Sequence, residues 1–148
     1  MDEWLESVEF AIETSATLVV LDLGEKKGKG NRGMKIAVVG SRNFIDYKLL
    51  CAVLNEEFFW GKEILISGGA GGTDSLAEKW ATENSIETII IRPDYNKYPP
   101  KLAPLYRNQI IAKECDFMIA FWDGKSRGTK NAIEHAISFR KQVLIQGI

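Results

Sequence analysis

Histidine is nearly absent from this chain: His135 is the only one among 148 residues, and the cysteines number two, Cys51 and Cys115. That inventory offers no zinc-ligand spacing. Each thiol falls in a predicted helix and reads as a buried free thiol, not as half of a disulfide. Long apolar runs are missing too. No stretch of 18 apolar residues exists to span a bilayer, and the acidic N-terminus lacks the pattern of a secretory leader. A cytoplasmic protein with no membrane partner is the expectation. A surplus of one charge sign is also lacking. The net charge of −1 gives no whole-chain attraction to DNA or to anionic lipid. Two nucleotide motifs fail by a residue. G-x-G-x-x-G read from Gly69 and Gly71 ends on Asp74, and a P-loop ending at Gly124-Lys125-Ser126 would need glycine where Ile119 stands. No cofactor is expected.

What the chain does have is glycine in one place. Ser67-Gly68-Gly69-Ala70-Gly71-Gly72-Thr73-Asp74 follows the apolar run Ile64-Leu65-Ile66 and precedes a helical repeat through Leu76, Ala77, Trp80 and Ala81. A strand, a glycine turn and a helix start are expected. The free amides and dipole of such a helix start can hold a phosphate, or the turn can be a tight connection that binds nothing.

Residues 1–16 repeat Trp4, Leu5, Val8, Ala11 and Ile12 at helical spacing, and a short β-prone run follows at Leu18–Leu21. Residues 24–33 carry Lys26, Lys27, Lys29 and Arg32 among glycines and read as a solvated linker. Residues 1–33 are thus an appendage, and residues 34–148 a separate domain. From Lys35 onward β and α patterns alternate. Strands are expected at 36–39, 63–67, 88–91, 117–121 and 143–145, and helices at 46–59, 74–84, 105–114 and 129–140. The four prolines fall in 93–104, read as a loop.

Continuous apolar strands alternating with helices predict an α/β, Rossmann-like, doubly wound fold: a mainly parallel five-stranded sheet covered by helices on both faces. Ligands in that architecture sit at the carboxyl ends of the strands, at the switch in strand order. In the order 3-2-1-4-5 the switch separates the strands ending at Val39 and Phe121. Three loops should meet there: Gly40-Ser41-Arg42, the turn from Ser67 to Asp74, and Asp123-Gly124-Lys125-Ser126 with Gly128-Thr129.

Across residues 35–145 the motifs run V-V-G-S-R, I-S-G-G-A-G-G-T-D-S-L-A, Y-R-N, C-D-F-M-I-A-F and D-G-K-S-R-G-T. This order resembles the SLOG superfamily, most closely its small YspA-like branch. The resemblance implies binding of a nucleotide or nucleotide-derived ligand and self-association as a homodimer or higher homo-oligomer. Two relatives bracket the possibilities. The "lonely guy" phosphoribohydrolases cleave the N-glycosidic bond of nucleoside monophosphates. Their arginine-lysine pair is Arg107-Asn108 here, and their catalytic glutamate falls on Ala132. DNA-processing protein A binds single-stranded DNA, and its motifs look similar to Ser67–Asp74 and to Arg107–Ile111. A binding module, acting as sensor or sequestering protein, is therefore the first reading. A phosphoribohydrolase and a single-strand binder are the alternatives.

Single residues carry two readings each. Arg42 is a phosphate partner or a surface arginine; Ser41 donates to phosphate or caps its turn. Asp74 accepts from a ribose hydroxyl or caps a helix, and Thr73 is similar. Arg107 lines the site or makes a surface ion pair, and Asn108 reads a base edge or caps locally. Asp123 binds ribose or ends its strand. Ser126 and Thr129 flank a second glycine turn, with the same anion argument. His135 has no acid or nucleophile beside it. Trp122 alone among the tryptophans stands at the site edge, where it can stack on a base.

Overall fold

The computed structural model describes residues 3–14, 17–20, 33–58 and 61–148. The basic run Lys26, Lys27, Lys29 and Arg32 lies outside them, as do Phe59, Trp60 and the side chains of Trp4 and Phe10. In chain order the elements are α1 (Glu3–Thr14), β1 (Thr17–Val20), β2 (Lys35–Gly40), α2 (Tyr47–Glu57), β3 (Ile64–Ser67), α3 (Thr73–Glu83), β4 (Glu87–Ile90), α4 (Ala103–Glu114), β5 (Phe117–Trp122), α5 (Arg127–Ser138) and β6 (Gln142–Gly147).

The sheet order is β1-β6-β5-β2-β3-β4. Strands β2 to β6 pair in parallel, in the expected winding order. The sixth strand is an addition to the expected sheet. β1 pairs antiparallel with β6, Thr17 opposite Gln146 and Val20 opposite Val143, so the N-terminal segment extends the sheet at its edge. An edge strand on β6 covers backbone groups that would otherwise face solvent.

Period-two alternation divides the core. Ala37, Val39, Met118 and Ala120 face one side, beneath Val8 of α1, Ile111 of α4 and Ile133 of α5. Ile36, Val38, Phe117 and Ile119 face the other, beneath Leu50 and Leu54 of α2 and Trp80 of α3. Every residue of β5 is buried, as a central parallel strand requires.

Several expected boundaries move. α4 begins at Ala103, so Pro104 lies in its first turn and Arg107 in its second turn, not at its start. Proline suits that turn, since its missing N–H would have no helical partner there. Cys115 caps α4 from just past its last turn. Among the described residues no helix is long and apolar enough to cross a membrane.

Candidate functional site

A cleft of about 520 Å³ opens at the carboxyl ends of β2, β3 and β5. That size suits a small organic ligand. The chain turns away on either side of β2 there, toward β3 and β4 in one direction and β5 and β6 in the other. The cleft is lined by Gly40, Ser41 and Arg42 after β2, and by Gly68, Ala70 and Asp74 around the glycine turn. α4 contributes Arg107 and Asn108. The loop after β5 and the start of α5 contribute Asp123, Ser126, Gly128 and Thr129. The three loops therefore meet as expected.

The glycine turn differs from its expected role, because its Gly69, Ala70 and Thr73 amides are already occupied. Gly69 N–H donates to Ser67 Oγ at 3.2 Å, and Ala70 N–H donates to Asp74 Oδ2 at 3.1 Å. Thr73 spends both its N–H and its hydroxyl on the Ser41 carbonyl, at 3.1 and 2.9 Å. The Asp74 carboxylate thus sits in the turn where an incoming anion would sit. Burial raises its pKa, opposed by the Ala70 amide and the charge of Arg107. Ser67 is turned away from the cleft, its hydroxyl donating to Glu78 Oε2 at 2.6 Å. Gly72, at φ +66, packs so closely on the Arg42 backbone that a Cβ would lie 2.3 Å from the Arg42 carbonyl oxygen. Gly72 and Thr73 therefore lock the β2 loop to α3; neither lines the cleft.

Arg107 and Asn108 form the floor. The Arg107 guanidinium donates to the Gly68 carbonyl, and its Nε donates to Asn108 Oδ1 at 3.0 Å. Asn108 Nδ2 in turn lies 3.2 Å from the Gly128 carbonyl and 3.2 Å from Asn131 Oδ1. This strap ties the turn before α3 to the start of α5. It also corrects the base-reading role for Asn108, whose polar atoms are both spent. Burial pushes the Arg107 pKa down, the charge of Asp74 pushes it up, and the charge of Arg42 pushes it down again.

The second turn is the open one. Ser126 caps α5, its hydroxyl accepting from Thr129 N–H at 3.4 Å and lying 3.0 Å from Thr129 Oγ1. Asp123 Oδ1 accepts from the amides of Lys125 and Ser126 at 2.8 and 2.9 Å. Partial burial opposes ionisation of Asp123, but these amides outweigh it and hold its pKa below the usual carboxylate value. Gly124, at φ +81, seats Ile12 of α1. Among the described residues the amides of Arg127 and Gly128 have no acceptor, and a Cβ on Gly128 would meet nothing within 4 Å. Trp122, expected to stack on a base, is 3% exposed, and its indole N–H donates to the Ser126 carbonyl at 3.0 Å. It is a core residue that holds the loop.

Sequence reasoning missed Arg92 and Tyr95, which border a neighbouring hollow with Gly69 and Gly71. The signal was available. Arg92 follows the apolar run of β4 as Arg42 follows that of β2. His135 lies in the last turn of α5, outside the cleft lining.

Comparison with known proteins agrees with this fold. Residues 34–98 match the profile of the family described as YAcAr: YspA, cpYpsA-related SLOG family. The Gene 61 protein of Mycobacterium phage D29 is 26% identical over 109 residues, covering 69% of this chain and 87% of that protein. Among solved structures, DNA processing protein A from Helicobacter pylori, described with a single-stranded DNA binding mode, superposes with a TM-score of 0.60 at 23% identity. That match covers 75% of this chain and 64% of the Helicobacter chain. DNA processing protein A from Streptococcus pneumoniae gives 0.58 at 19% identity, covering 97% of this chain and 66% of its own. TM1055 gives 0.56 at 21% identity, covering 73% and 71%. This chain thus spans just under two thirds of the two DNA processing proteins. Residues 34–98 thus carry the profile of the YspA-related SLOG family, and the chain shares the fold of these solved structures.

Proposed function

We propose that the cleft binds a nucleotide or nucleotide-derived small molecule, as a sensor or sequestering module. The observation that carries this reading is the contrast between the two turns. The turn before α3 holds its own carboxylate, whereas the start of α5 presents unoccupied amides on the same cleft as Arg42. Free amides, a helix dipole and an exposed guanidinium suit a phosphate. The phosphate would sit at the free Gly128 amide beside Thr129, with Arg42 as its charged partner. Ser41 is held as a positioning residue by the Asn43 amide on its hydroxyl, at 3.3 Å.

The phosphoribohydrolase alternative is not favoured. Ala132 lines the cleft and is 1% exposed, so a methyl group stands at the place of the expected glutamate. Glu134 is exposed on another face of α5 and does not line the cleft. Asp74 and Asp123 line it, but both carboxylates are engaged by local amides. The single-strand reading has one observation in its favour. Tyr98 stacks on Tyr106 at 4.0 Å, Lys97 stands over Tyr98, and Tyr95 is 58% exposed, so rings and cations share a surface.

Isothermal titration with AMP tests the reading. Arg42→Ala should weaken binding by about 1.5–3 kcal/mol, the range for a charged hydrogen bond. Equal affinity in parent and variant would reject the placement of the phosphate. Anisotropy with a short labelled deoxyoligonucleotide tests the second reading; binding lost in Tyr106→Ala but kept in Arg42→Ala would favour it.

A further inference from the structure

Beside the main cleft lies a second hollow of about 360 Å³. The two share Arg42, Gly68, Ala70 and Arg107, so they are neighbouring chambers of one depression. Arg92 supplies the second chamber's own charge. It leaves the carboxyl end of β4 and lies over the glycine turn: a Cβ on Gly69 would fall 2.8 Å from Arg92 Nη1. Gly69 has φ +71, a backbone conformation that disfavours any side chain there.

The charge count there is unbalanced. Arg42, Arg92 and Arg107 all line the second chamber. Among the described residues neither Arg42 nor Arg92 has a carboxylate within ion-pair distance. Asp74, whose charge acts on Arg107, is buried and turned onto the Ala70 amide. Arg107 has the charge of Asp74 beside it, but Arg42 and Arg92 add two further guanidinium groups without matching acids, and in a chain of net charge −1 that arrangement is not a general surplus of cations. It suits an anion that the protein does not itself supply. Arg recognises phosphate with a planar pair of donors. Gly71 borders the same chamber, has no hydrogen-bonded acceptor for its amide among the described residues, and leaves open space where a Cβ would stand.

We propose that this chamber is a second phosphate subsite, built from Arg92, Arg42 and the Gly71 amide. The ligand class is then a nucleotide carrying two phosphate groups, not a nucleoside monophosphate. This rests on the reading that the main cleft holds a nucleotide. The two turns divide the work: the start of α5 holds one phosphate, and the Arg92 side of the glycine turn holds the other. Tyr95 stands exposed at the outer rim, where it can cover the second group.

The test is titration calorimetry with AMP, ADP and adenosine 3′,5′-bisphosphate on the parent, Arg92→Ala and Arg92→Lys. Arg92 is exposed, so neither variant removes core packing; thermal melting checks this. In the parent, ADP or the bisphosphate should bind at least tenfold more tightly than AMP. Arg92→Ala should remove that gain and leave AMP unchanged, and Arg92→Lys should retain part of it. If AMP binds and neither second phosphate adds affinity, the subsite is wrong while the main cleft reading stands. A gain that survives in Arg92→Ala overturns it equally. If none of the three binds, the nucleotide reading and the subsite fall together. An Arg92-dependent gain seen only with a 5′-phosphorylated deoxydinucleotide would assign the second anion to a nucleic-acid strand and overturn the small-molecule class.

Discussion

Replacing Gly128 with aspartate would supply the start of α5 with a carboxylate of its own, as Asp74 does for the turn before α3. Gly128 is the second residue of α5, after the cap Ser126 and Arg127. A Cβ there meets nothing within 4 Å, so the substitution costs no packing. Removing glycine from a helix gains roughly 0.3–1 kcal/mol, depending on the new residue. An acidic group in the first turn adds about 0.3–1 kcal/mol through the dipole. The variant should therefore be more stable by about 1 kcal/mol, a rise of roughly 2–4 °C in melting temperature for a chain of this size. Ligand binding should move the other way. A carboxylate about 4 Å from a phosphate costs roughly 1–4 kcal/mol per charge pair at effective dielectric constants of about 80 to 20. A loss of tenfold or more in AMP affinity is expected. Gly128→Ala is the control: it adds the Cβ without the charge, keeps the amides, and should bind AMP nearly as the parent does. The assays are calorimetric titration and differential scanning calorimetry. An aspartate variant that is stabilised and still binds AMP as the parent does would refute phosphate binding at α5.

Three further outcomes are expected. Asp74→Ala leaves the Ala70 amide without its acceptor and should cost about 1–3 kcal/mol in urea unfolding; because burial raises the Asp74 pKa in the folded state, its contribution to stability is fully present below the ordinary carboxylate value and is lost as pH rises through the folded value, so the stability of Asp74→Asn relative to the parent should rise as pH climbs above the ordinary carboxylate value. The parent should release no adenine from AMP by chromatography, since Ala132 supplies neither acid nor base; turnover on the order of one per second that vanishes in Asp74→Asn or Asp123→Asn would sink this. The protein should self-associate through α4, where Leu102, Leu105, Tyr106 and Ile110 are exposed along one side, and sedimentation of the parent as a monomer at micromolar concentration, indistinguishable from Ile110→Glu, would reject that interface.

The sequence by itself determined the parallel sheet and the meeting of three loops. The reason is local: continuous apolar runs such as Phe117–Trp122 suit strands buried on both faces, and the glycines and hydroxyl residues after them mark the turns. The winding order then follows from the handedness of the crossovers. The N-terminal strand was legible as a strand but not as a partner of β6, since pairing of Val20 with Val143 is a long-range event that no local pattern encodes. The use of each loop was decided only by the fold. Asp74 reads equally as a ribose contact or a helix cap until its carboxylate is seen to face the amide of Ala70, four residues back. Arg107 reads as a site residue or half of a surface ion pair until α4 brings it to the carbonyl of Gly68, 39 residues away. Glycine spacing tells where amides are available, but whether a side chain of the same protein already fills them depends on which rotamers the surrounding packing permits, and that packing exists only once the distant elements have met.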